Sequence, residues 1–148
     1  MSESAIREQI FEIISTVPSI GRVYDYERWT SDWGKFLELF KDPATGTIRG
    51  WEISRSGVEV KFLSRIEEEA THRFTVKGYL GLQDATATEK IFNGLIEAIR
   101  TAFRGNVTLN GVAELVEPVS VSTIEIRTFG SVLCHYCELQ LLVTEYSG

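Results

Sequence analysis

The sequence has only two cysteines among its 148 residues, Cys134 and Cys137. That is too few for a disulfide scaffold, and a chain of this length can bury a continuous core without one. Basic clusters are missing too. Lys and Arg number 15 against 21 Asp and Glu, a formal net charge of -6, which argues against nonspecific binding to DNA or to an anionic membrane, since affinity for either is built from clustered cations. No window approaches the apolar length needed to span a bilayer. The amino-terminal MSESAIREQIFEII carries charges throughout, unlike the apolar core of a signal peptide, so cytoplasmic synthesis is the expectation. No internal repeat, low-complexity tract or linker divides the chain, and residues 1–148 read as one domain. The hydrophobic share of 43% and charged share of 24% are those of a folded protein and exclude a disordered one. The acidic balance fits either a protein kept soluble at high concentration or one that lies near DNA without gripping it.

What is present centres on Thr71 to Phe103. Phe74, Val76 and Leu80 alternate with Arg73, Thr75, Lys77 and Tyr79, the period of a half-buried strand. The period then changes. Ile91, Phe92, Leu95, Ile99, Ala102 and Phe103 recur at helical steps. Asp84 or Thr86 can cap that helix, with Glu89 three residues after Thr86 as a capping box requires, and Gly105 ends it.

Ahead of this unit, Ile6, Ile10, Ile13, Ile14 and Val17 form an apolar stripe behind possible caps at Ser2 and Ser4, ended by Pro18 and Gly21. Gly21 to Trp29 suits a connector or short extended segment. Trp33, Phe36, Leu37 and Phe40 predict a second, shorter helix behind Thr30 or Ser31, and Asp42 to Thr47 predicts a turn. Ile48–Ser54 and Val58–Arg65 read as two strands around Ser56-Gly57, and Glu67 to Glu69 as a solvated loop or strand end. After the long helix, Val107–Leu109 and Val112–Val116 flank Asn110-Gly111 as a hairpin. Pro118 interrupts pairing before a strand over Val119–Arg127. The last strand, Val132–Thr144, is long enough to predict a bulge or bend. The expected fold is α+β: a mixed or antiparallel sheet packed against two or three helices.

Few residues offer chemistry. Cys134-His135-Tyr136-Cys137 has CxxC spacing, but in a strand-like setting residues three apart face opposite sides, so the thiols diverge from any shared metal or disulfide. His72 and His135 could pair across adjacent strands, or form an acid-base site with Glu67, Glu68 or Glu69. A structural histidine is the competing reading, as no serine or cysteine sits in a nucleophile turn. Gly78, Gly81 and Gly94 make no phosphate loop, and Gly94 reads as a close-packing position. Asp25, Glu27 and Asp32 are cation ligands by type without a coordinating loop. Tyr24, Tyr26, Trp29 and Trp33, interleaved with Arg22 and Arg28, have the composition of buried contact patches, with ordinary packing as the competing reading.

The order of elements, with IGRVYDYERW, HRFTVKGYLGLQDATATEKIF and LCHYCELQLLVTE, resembles the small tail-terminator and tail-completion proteins of long-tailed phages, including prophage copies. The resemblance covers most of the chain. It implies a structural, non-catalytic protein whose subunits close into a ring, usually a hexamer, at the head-proximal end of the tail tube. Such a ring ends tube polymerisation and presents a surface to the head. Its partners would be further copies of itself, the tail tube protein and the head connector, with no membrane and no specific nucleic acid. It would occupy the host cytoplasm during assembly and then the virion tail or neck. The resemblance supplies no catalytic, cofactor or metal residues; Tyr24, Tyr26, Arg28 and Trp29 are the candidate interface. Two alternatives stand: another neck or head-tail joining protein, and a small enzyme or ligand-binding domain using His72, His135 and nearby carboxylates.

Overall fold

A computed structural model describes residues 3–147. The chain runs α1 (Glu3–Ser15), β1 (Arg22–Tyr24), α2 (Trp33–Leu39), β2 (Arg49–Phe62), β3 (Glu68–Gly81), α3 (Thr88–Arg104), β4 (Leu115–Val116), β5 (Ser120–Phe129) and β6 (Val132–Ser147). The six strands form one mixed sheet in the order β1-β2-β3-β6-β4, with β5 also on β6; β1 pairs parallel to β2 and every other pairing is antiparallel. This is an α+β architecture, as expected.

The alternation along the strands decides which helix lies where. Trp51, Ile53, Phe74, Val76, Leu139, Leu141 and Val143 point to one face and pack beneath the apolar stripes of α1 and α3. The opposite face carries a smaller cluster, in which Phe36, Leu37 and Phe40 of α2 cover Tyr79, Phe129, Cys134 and Tyr136. Trp51 anchors the larger core. Its ring stacks on Phe92 at 5.7 Å between centroids, and its Nε1–H donates to the carbonyl of Ile20 at 2.9 Å. That placement requires Gly78 across the strand pair, because a Cβ there would lie 2.3 Å from the Trp51 ring.

Several sequence expectations are corrected. Ser56-Gly57 is no turn: β2 is one strand of 14 residues, and β3, equally long, pairs along all of it, absorbing Ser56 as a bulge. The Asn110-Gly111 hairpin is absent. Leu109, Asn110 and Gly111 all take positive φ, coiling the chain so that Leu109 enters the core, while Asn106 and Asn110 bond each other's polar groups. Helix α3 has no capping box either. Ala87, in the left-handed region, precedes it after a 3-10 turn over Asp84–Thr86, and the Thr86 hydroxyl donates to the Gln83 carbonyl. The cap of α2 is Asp32, not Thr30 or Ser31: its carboxylate accepts from the Gly34 and Lys35 amides. Gly94 faces open space and packs against nothing. The bulge expected in β6 falls in its partner instead, between Val121 and Thr123 of β5. The possible cap Ser2 lies outside the described residues. Among the described residues no helix is long and apolar enough to cross a membrane.

Candidate functional site: an aromatic cleft and an uncovered hairpin

The aromatic run after β1 lies beside α2 on the smaller face of the sheet. The Tyr24 hydroxyl donates to the Leu39 carbonyl, and its ring meets Phe40 edge-on at 5.6 Å. Tyr24 is therefore mainly a packing residue. The Arg28 guanidinium carbon sits 4.5 Å from the Tyr24 centroid and 5.0 Å from that of Tyr26. Trp29 is 82% exposed, and Tyr26 is more than half exposed. Of the four predicted interface residues, then, Tyr26 and Trp29 are surface, Arg28 bridges, and Tyr24 is partly buried against the α2 cluster.

Beneath them opens a cleft of about 550 Å³. Sequence reasoning missed its floor: Glu52, Lys77, Tyr79, Arg127 and Tyr136 arrive from four strands that only the register brings together. The Glu52 carboxylate, 2% exposed, accepts the Arg28 amide at 3.0 Å on one oxygen and the Tyr79 hydroxyl at 2.7 Å on the other. Burial raises its pKa and these two bonds oppose the rise. Burial also raises the Tyr79 phenol, helped by the adjacent carboxylate. The other charges are engaged as well: Lys77 meets Glu27 at 2.9 Å, and Arg127 pairs with Glu125 at 3.0 Å while lying over the Tyr136 ring. With each Glu52 oxygen accepting one of these bonds, the carboxylate ties the Arg28 loop to β3.

The two histidines do not pair. His72 stands opposite Val143, and His135 stands opposite Leu80, eight residues further along β3; at about 3.3 Å per residue the two are about 26 Å apart. Nor does His72 meet Glu67, Glu68 or Glu69; its carboxylate partner is Glu145. Arg55 can only donate, so its contact of 3.3 Å fixes His72 Nδ1 as an acceptor, leaving Nε2–H to donate to Glu145 Oε1 at 3.0 Å. Glu145 Oε2 is buried with no partner among the described residues. His135 Nε2 lies 2.8 Å from the Thr88 hydroxyl, and burial lowers its pKa. The cysteines diverge as the strand geometry predicts: Cys134 sits in the α2 cluster and Cys137 in the larger core. Burial pushes their thiols up to about 11 and about 12, far from a reactive thiolate. Asp25, Glu27 and Asp32 do not converge on an ion site either, since Glu27 pairs with Lys77 and Asp32 caps α2.

The distal half of the β2–β3 hairpin is different in kind. The bulge at Ser56 shifts the alternation by one residue, so Val58, Val60 and Phe62 point to the same face as Trp51 and Ile53. Among the described residues no helix covers them. Phe62 and Ile66 are each 79% exposed, and Val58, Val60 and Leu63 are exposed beside them. The turn itself is well tied, with the Leu63 amide donating to the Glu67 carbonyl at 2.9 Å and the Ser64 hydroxyl accepting from the Ile66 and Glu67 amides. The strand pattern was legible in Val58, Val60 and Phe62; the absence of a cover was not.

No protein-family model matches the chain, and no curated protein matches it.

Proposed function

We propose that the chain is a structural, non-catalytic subunit that assembles with further copies of itself into a ring, and that this ring is a phage-type tail terminator at the head-proximal end of a tail tube. The observation that carries the self-assembly is the distal hairpin. A strand that alternates apolar and charged side chains, kept in phase by a bulge, has the pattern of a buried surface but finds no cover among the described residues. Beyond Glu52, the last residue paired with β1, its edge meets no further strand among the described residues, although Arg7 donates to the Ile53 carbonyl, and such edges recruit other strands unless covered. The tail reading rests on the resemblance of the element order and of the three segments quoted above. In that role the partners are the tail tube protein and the head connector, met in the host cytoplasm and retained in the virion neck. The net charge of -6 suits a lumen that lets DNA pass without holding it. The separation of the two histidines weighs against an acid-base enzyme.

The test is the solution mass by light scattering over a concentration series, for the native chain and for Phe62→Asp. The native chain is expected to rise from subunit mass to a closed ring and to sit on the ends of purified tail tubes. Phe62→Asp should stay at subunit mass with an unchanged circular dichroism spectrum. A native chain that remains a single subunit at every concentration would overturn the self-assembly reading. A ring that ignores tail tubes would overturn only the terminator role.

A further inference from the structure

An apolar groove of about 300 Å³ opens where α3 ends, walled by Phe103, Val107, Leu115, Val116 and Val119. We infer that this groove is the receptor for the β2–β3 tip of a second copy of the chain, taking Phe62 and Ile66 in a head-to-tail contact; the inference rests on the self-assembly reading above.

Three observations commit the groove to that occupant. The tip is convex and apolar while the groove is concave and apolar, with Val107 and Leu115 half exposed at its mouth. The two features lie toward opposite edges of the sheet, the tip on β2 and β3 and the groove beside β4. Their charges also match. The tip carries Arg65, Glu67 and Glu68, and the groove carries Arg104 and Glu117; none of these five forms an ion pair among the described residues. Glu67 and Glu68 can meet Arg104 as Arg65 meets Glu117, satisfying both signs at once. Of two other partly apolar grooves, the one beside Ile124 and Ile126 is rimmed by Asp84, Glu89 and Glu125 and would repel the tip's carboxylates, and the one beside Val132 and Leu133 has Arg49 but no carboxylate to meet Arg65. The aromatic cleft has its cations already paired or stacked.

A two-fold pair would need each copy's tip to reach the other's groove at once; tip and groove lie toward opposite edges of the sheet, which favours two different neighbours. Each copy gives a tip to one neighbour and a groove to the other, so the contact propagates until it closes into a ring. The test uses two surface variants of the full chain, Phe62→Asp to spoil the tip and Val107→Asp to spoil the groove, each checked for native circular dichroism and then sized alone and mixed. Each variant alone should be a single subunit, with association weakened at least tenfold. Their equimolar mixture retains one good tip and one good groove and should form a dimer that grows no further. Arg104→Glu should weaken association severalfold, and adding Glu67→Arg should restore part of it. If the native chain assembles and Val107→Asp assembles equally well, the groove is not the receptor although self-assembly stands. If the mixture forms no dimer, the head-to-tail contact is wrong. A native chain that never assembles would remove this contact together with the reading on which it rests.

Discussion

Along β2, Trp51 and Ile53 are sealed beneath α1 and α3, whereas Val58, Val60 and Phe62, on the same face of the same strand, stand in solvent. Both halves are built alike, with apolar residues alternating with polar ones and register held by β3. They differ only in what lies above them. In the first half two helices arrive with matching stripes; in the second none does among the described residues. Alternation in a sequence therefore reports that a face is to be covered and leaves open which molecule covers it.

This contrast yields predictions that separate folding from assembly. The largest effect on stability should come from the covered half. In Gly78→Val a side chain would meet the Trp51 ring and the Cys137 sulfur, both wholly buried, and overpacking there should cost about 3 kcal/mol or more, read as a lowered midpoint in urea unfolding. Asp32→Ala removes the carboxylate that holds the first turn of α2 and should cost about 1 kcal/mol, read in the same way. A smaller effect is expected from pH. Burial lowers the His135 pKa below its ordinary 6.5, so the unfolded chain takes up that proton more readily than the folded one. The stability this group contributes is thus complete above about pH 6.5 and declines as acid is added, with a slope of at most about 1.4 kcal/mol per pH unit for one proton. Comparing unfolding midpoints at pH 7.5 and pH 5.5 should show that slope reduced in His135→Gln. Smallest of all is Phe62→Asp, which should leave stability within about 0.5 kcal/mol while abolishing assembly. If it lowered the unfolding midpoint as much as Gly78→Val, the distal half would have hidden intrachain support and the contrast would fail.

Much of the fold was readable because its signals are local and repeated. The stripe Ile6, Ile10, Ile13, Ile14 specifies α1, and the change of period between Leu80 and Ile91 separates β3 from α3. The misreadings fall where a local signal was overruled from a distance. Ser56-Gly57 looked like a turn, but β3 is long enough to pair through it. Asn110-Gly111 looked like a hairpin, but the burial of Leu109 and the pairing of β4 with β6 take the chain elsewhere. The candidate surfaces were less legible still. Trp29 and Tyr26 were found through composition, whereas Glu52 and Tyr79 meet only through the strand register. The groove beside β4 joins residues from Arg100 to Val119 that share no pattern along the chain.

The three tryptophans fall into two optical environments. Trp51 has no solvent contact and lies stacked on Phe92, while Trp29 and Trp33 are at the surface beside the cleft. Native fluorescence should therefore contain a blue-shifted, quencher-resistant component from Trp51 and a red-shifted, acrylamide-accessible one from the other two. Loss of the first would report unfolding. Shielding of the second would report a partner arriving at the cleft, so one unlabelled sample could follow both events.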